Sequence, residues 1–95
     1  MEIQNPFTKH GFKTCVQKTV DLTLKNDEIA IITLGASSRD FGIHQTLKSD
    51  EENKAIDIIN KQPAMNDQGE EVIYALCDFR GDIISGSVRY PSFFR

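Results

Sequence analysis

Residues Phe12 to Leu24 alternate in polarity almost without a break, and no other stretch constrains the fold so tightly. Even positions carry Phe12, Thr14, Val16, Lys18, Val20, Leu22 and Leu24; odd positions carry Lys13, Cys15, Gln17, Thr19, Asp21 and Thr23. Side chains on a strand point to opposite faces in turn, so the pattern predicts a long first strand with one dry face. Lys25-Asn26-Asp27-Glu28 then predicts a hairpin turn, because Asn and Asp tolerate the positive φ of a tight reversal. With Asn26-Asp27 at the tip, Leu24 pairs with Ile29, Leu22 with Ile31 and Val20 with Thr33, which sets apolar face against apolar face. The second strand also carries Ala30, Ile32 and Leu34 on its other side. It is expected inside the sheet or covered twice.

Gly35 to Lys48 carries mixed signals and is expected to be a loop anchored by Phe41, Ile43 and Leu47. Ser49-Asp50-Glu51-Glu52 matches a capping box, with Ser49 as the cap and Glu52 reaching back. Ala55, Ile56, Ile58 and Ile59 follow as an apolar helical stripe, and Pro63 ends the helix near Lys61. Glu70 to Phe79 predicts a third strand and Asp82 to Tyr90 a fourth, joined at Arg80-Gly81-Asp82. Ala75 and Gly86 are small enough to admit a helix backbone, which seats the helix on the face of Ile73, Ala75 and Val88. The expected fold is α+β: a four-stranded antiparallel sheet in hairpin–helix–hairpin order (ββαββ), one helix on one face, a single domain over residues 1–95.

Composition bounds the function more than it defines it. A chain of 95 residues, 39% hydrophobic and 26% charged, is ordinary for a globular domain. The start of the chain lacks the basic and apolar regions of a signal peptide, and purely apolar runs such as Ile29 to Ile32 are far short of a membrane span. A soluble cytoplasmic protein is expected. Cys15 and Cys77 match no zinc or redox spacing and are expected to be free thiols. The net charge of −3 is unevenly spread. Residues 1–48 and 72–95 each carry +1, whereas residues 49–71 hold seven acids and two lysines, or −5. Such a block disfavours direct nucleic-acid contact and suits a basic protein partner.

No catalytic set stands out. The capping role explains Asp50, Glu51 and Glu52 without general acid–base chemistry. Neither His10 nor His44 is placed by spacing beside a cysteine nucleophile or a second metal ligand, so no metal or cofactor is expected. Gly35-Ala36-Ser37-Ser38 follows a strand, where phosphate-binding loops sit, but lacks the P-loop ending. Asp40-Phe41-Gly42 is a kinase tripeptide without the rest of its set. Arg80-Gly81-Asp82 has the form of an adhesion loop, though Gly suits a hairpin tip on conformational grounds alone. Phe93 and Phe94, near the chain end, are expected to fold over the sheet's second face with Tyr74 and Leu76, or to enter a partner.

Size, mild acidity and the acidic block are shared with small inhibitor and immunity proteins that neutralise nucleases, a likeness of class carried by no motif. The first functional expectation is therefore a non-enzymatic binding protein. Its contact residues would be Asp50, Glu51, Glu52, Asp57, Asp67, Glu70, Glu71, Tyr74, Phe93 and Phe94. The alternatives are a homo-oligomeric small-ligand-binding or regulatory domain that self-associates through an exposed sheet face, and a small enzyme using the 35–47 loop with Arg39, Asp40 and His44.

Overall fold

A computed structural model describes residues 9–19, 23–38, 40–63 and 65–84. Its elements run α1 (Lys9–Thr19), β1 (Glu28–Gly35), β2 (Phe41–Lys48), a single 3-10 turn (Ser49–Glu51), α2 (Glu52–Asn60) and β3 (Val72–Asp78). The three strands form one antiparallel sheet in the order β2-β1-β3.

The four-stranded ββαββ expectation does not hold: among the described residues the sheet has three strands and there are two helices, and the misreading lies in the first half of the chain. Residues 9–19, most of the predicted first strand, are helical. The cause is visible in the spacing. Phe12 and Val16 are four residues apart, which fits a strand face and a helix face equally well, and both are fully buried on the sheet. The even positions between and after them, Thr14 and Lys18, are polar, as the flank of a helix requires. Tertiary burial, at about 1.5–3 kcal/mol per large apolar side chain, overrides the strand preference of Thr14, Val16 and Thr19. The turn at Lys25–Glu28 does form, with the Glu28 N–H donating to the Lys25 carbonyl at 3.0 Å. It leads into β1 from an irregular segment, not from a strand.

The partner of β1 comes instead from the expected loop. β2 pairs Lys48 with Glu28, Leu47 with Ile29 and Phe41 with Leu34. The register slips between Ile31 and Ile32, leaving His44 as an extra residue. The bulge turns Phe41 and Ile43 to one face and Gln45 and Leu47 to the other. Residues 43–46 are all exposed, so β2 leaves little burial signature in its sequence.

β3 pairs with the other edge of β1, from Gly35 against Val72 to Ile29 against Asp78. After it the chain reverses at Phe79–Asp82, with Gly81 at φ +86°. It returns as far as a bridge from Ile83 to Cys77 and a bond from the Ile84 N–H to the Leu76 carbonyl at 2.8 Å. The rest of the expected fourth strand, including Gly86 and Val88, lies outside the described residues, as do Phe93 and Phe94.

Two apolar clusters cover the two faces of the sheet. Phe12 and Val16 of α1 pack on Ala30, Ile32, Ala75 and Cys77. Ala55 and Ile59 of α2 pack on Ile29, Ile31, Leu47, Tyr74 and Leu76. The small residues Ala30 and Ala75 do admit a helix, but that helix is α1. α2 sits on the opposite face from the one expected, over Tyr74 and Leu76. β1 is central and covered twice, as its sequence predicts. α2 ends at Asn60 with Lys61 as its cap, close to the expected boundary. Its entry is shifted by one residue: the Lys48 N–H, not that of Ser49, donates to a glutamate three residues on, Glu51, at 3.1 Å.

Candidate functional site

The two ends of β1 organise the polar surface. At the Gly35 end, the β1–β2 turn (36–40) meets the loop that enters β3 (65–71). The loop is closed on itself. Asn66 Oδ1 accepts from the Gln68 and Glu70 N–H groups at 2.9 and 3.0 Å, and the Asn66 N–H donates to the Glu70 carbonyl at 2.9 Å. Gly69 takes φ +79°, which a side chain would resist.

Glu70 then joins loop to turn. Its Oε2 accepts from the backbone N–H groups of Ser37 (3.0 Å) and Ser38, and its Oε1 accepts from Asn66 Nδ2 at 3.3 Å. The Ser38 backbone bond holds the carboxyl below its ordinary pKa, helped by the Ser38 hydroxyl and then Ser37 and Asn66; desolvation opposes them. Successive amides aimed at one anion form a nest. The strand-exit sequence Gly35-Ala36-Ser37-Ser38 thus makes an anion cradle, filled by the protein's own carboxylate. Gly35 leaves room for this approach. A Cβ there would sit on the Ser38 hydroxyl and 2.7 and 2.8 Å from the Glu70 oxygens.

Beside the clamp lies a cleft of about 210 Å³. Thr33 and Gly42 line it from the strands, Ser38 and Asp40 from the turn, Gln68 and Glu70 from the loop, with Val72 adding apolar wall; the Phe41 ring turns to the opposite face, edge-on to Phe12. Ligand pockets for drug-sized molecules run from about 300 Å³ upward, so this cleft suits a group the size of one side chain. Asp40 is exposed, but its backbone is fixed. Its carbonyl accepts from the Gly35 N–H at 3.0 Å and its own N–H donates to Ser38 Oγ at 3.3 Å.

At the Glu28 end lysines match Asp27, Glu28 and Glu51, while Asp50 and Glu52 have no cation partner among the described residues. Lys48 Nζ lies 3.5 Å from Asp27 and 3.9 Å from Glu28, and Lys54 lies 3.6 Å from Glu51. Along α2, Lys61 pairs with Asp57 at 2.9 Å. The expected contact residues therefore do not form one patch. Asp50, Glu51 and Glu52 start α2 at one end, Asp57 lies along it, and Asp67, Glu70 and Glu71 occupy the other end. Seven strand steps of about 3.3 Å separate the two ends of β1, roughly 23 Å. That is well beyond a Debye length of about 8 Å, so exposed charges at the two ends act separately. Tyr74 is buried beneath α2, with the His44 ring edge-on to it at 5.8 Å. The sheet face expected to be open for self-association is the one that α2 covers.

The remaining candidates resolve simply. Cys15 and Cys77 are both free. Burial pushes the Cys77 thiol up to about 12, so it is a packing residue and not a nucleophile. Arg80-Gly81-Asp82 does form a hairpin tip, but its exposed charges are paired with neighbours in the same chain. Arg80 lies 3.4 Å from Asp78 and 3.7 Å from Asp82, Lys13 of α1 lies 3.3 Å from Asp82, and Gln17 Nε2 donates to the Arg80 carbonyl at 3.0 Å. Arg39 lies outside the described residues. Among the described residues no three His, Cys, Asp or Glu side chains gather as a metal site, and no helix is long and apolar enough to cross a membrane.

In comparisons with known proteins, the chain matches no family model, no curated protein and no solved structure. The geometry of the Gly35 end is thus the main guide to function.

Proposed function

We propose that this is a small non-enzymatic binding protein, of the inhibitor or immunity type, that docks a basic protein partner such as a nuclease on its acidic surface. The supporting observation is the unequal neutralisation of its acids. Among the described residues, Asp40, Asp67 and Glu71 have no cation within 4.0 Å, whereas at the Glu28 end Lys48 and Lys54 take up Asp27, Glu28 and Glu51 and leave Asp50 and Glu52 unpaired. Unmatched exposed acids steer a basic partner and set specificity, while affinity comes from groups desolvated at the centre of the contact.

The reading is tested by affinity capture from an extract of the cells that make the protein. Wild type is compared with an Asp67→Lys/Glu71→Lys variant. A basic protein captured by the first and lost from the second supports the reading. A partner held equally by both places recognition elsewhere.

The homo-oligomeric reading keeps one observation in its favour. β2 is an edge strand with exposed Ile43, His44, Gln45 and Thr46 and no charge between Phe41 and Leu47. Edges of this kind pair with other strands unless they are protected, and the bulge at His44 is such a protection. Light scattering after size exclusion separates the two, since a tight dimer favours edge pairing.

A further inference from the structure

We propose that the cleft beside Glu70 is a socket for one arginine side chain of the basic partner, with its guanidinium held by Asp40 and the Glu70 charge. The inference rests on the binding reading above and adds where the partner's anchor goes. Three features of the cleft select this occupant. Its volume, about 210 Å³, admits one long side chain and not a nucleotide. Its ionisable lining is anionic: Asp40 and Glu70 face it, with Asp67 and Glu71 on the same loop. Val72, paired with Gly35, supplies apolar wall for a methylene stem.

The two carboxylates have different roles. Glu70 is already bonded by Ser37, Ser38 and Asn66, so its charge is fixed in place while little acceptor capacity is left. Such a group attracts a cation but is a poor metal ligand. Asp40 has no cation partner among the described residues and is held through its own carbonyl and N–H, by Gly35 and the Ser38 hydroxyl, which leaves its carboxylate oxygens for an incoming donor. A guanidinium, planar and weakly hydrated with several donors, matches this better than an ammonium. Because the clamp already orders turn and loop, the partner meets a preformed site with little left to fix.

The probe is N-acetyl-arginine amide, whose only charge is the guanidinium, with the isosteric neutral N-acetyl-citrulline amide as control. Amide shifts are followed by NMR on the full chain at low salt. The titration is run on wild type and on Arg39→Gln, since Arg39 is the one cation in the turn itself. The expected result is saturable binding of the arginine probe in at least one of the two, with shifts confined to the backbone of residues 35–42 and 66–72. Citrulline gives none, and Asp40→Asn weakens the affinity about fivefold, the upper range for an exposed ion pair. Absence of saturation in both proteins, equal shifts with citrulline, or no effect of Asp40→Asn overturns the socket. Shifts centred on Asp50 and Glu52 also overturn it while leaving the acidic-surface reading standing.

Discussion

The Glu28 and Gly35 ends of the central strand carry similar numbers of acids and treat them differently. At the Glu28 end each cluster has a lysine within its own turn of chain: Lys48 beside Asp27 and Glu28, Lys54 three residues after Glu51. Exposed pairs of this kind stabilise by only about 0–1 kcal/mol, but they reduce the local field, leaving Asp50 and Glu52 as the unpaired acids of that end. At the Gly35 end one acid, Glu70, is used to tie two loops together through backbone amides, and its neighbours have no cation beside them among the described residues. A count of −5 over residues 49–71 conceals this. What matters is which acids the fold leaves unmatched, and around what shape.

The comparison can be broken by mutation, and the largest effect is expected in the layer joining the ends. Ile59, 1% exposed, anchors α2 beneath the sheet between them. Ile59→Asp buries an unpaired charge and should cost about 3 kcal/mol or more in urea unfolding; an unchanged midpoint would mean α2 is misplaced. Gly35→Ala comes next. The new methyl competes with Ser38 and Glu70 for the same space, and overpacking of this kind costs about 1–3 kcal/mol. The same variant should blur the amide signals of 36–40, and a stability equal to wild type would show that the clamp is dispensable.

Glu70 adds a pH signature confined to its own end. Its pKa is lowered on folding, so its contribution is complete above the ordinary value of 4.5 and fades as pH falls through the lower folded value. Glu70→Gln should therefore be less stable than wild type near neutrality, and the gap should close on acidification. Unfolding curves for both proteins between about pH 3 and 7 check this; a gap that holds constant would mean the ionised carboxylate is not what the amides bind. The smallest effect belongs to the Glu28 end, where Lys54→Ala should cost under about 0.5 kcal/mol, since its pair with Glu51 is largely exposed.

Legibility in the sequence followed burial. β1 reads correctly because Ile29 to Leu34 is apolar on both faces, and a strand covered twice leaves no ambiguity. α2 reads correctly because its apolar stripe is flanked by acids and stopped by Pro63. α1 fails because Phe12 and Val16, four residues apart, satisfy both periods, and only the core that they enter chooses between them. β2 fails because an edge strand with four exposed residues and a bulge has no dry face to announce it. At the site, Gly35-Ala36-Ser37-Ser38 reads as a plain strand exit because it lacks the P-loop ending, and the anion its amides hold comes from Glu70, more than thirty residues later. No local pattern links the two, nor does any local pattern show that Asp40 stands beside them.

The central claim is that the Gly35 end, not the acidic block as a whole, receives the partner. The most direct test is the association rate of the captured basic partner with two matched double reversals, Asp67→Lys/Glu71→Lys at one end and Asp50→Lys/Glu52→Lys at the other, measured by stopped flow across a range of salt. Both change the net charge by the same amount. The account predicts that the first pair slows association at least tenfold more than the second and flattens its salt dependence. Equal slowing by both pairs, or a larger effect from the second, would contradict it.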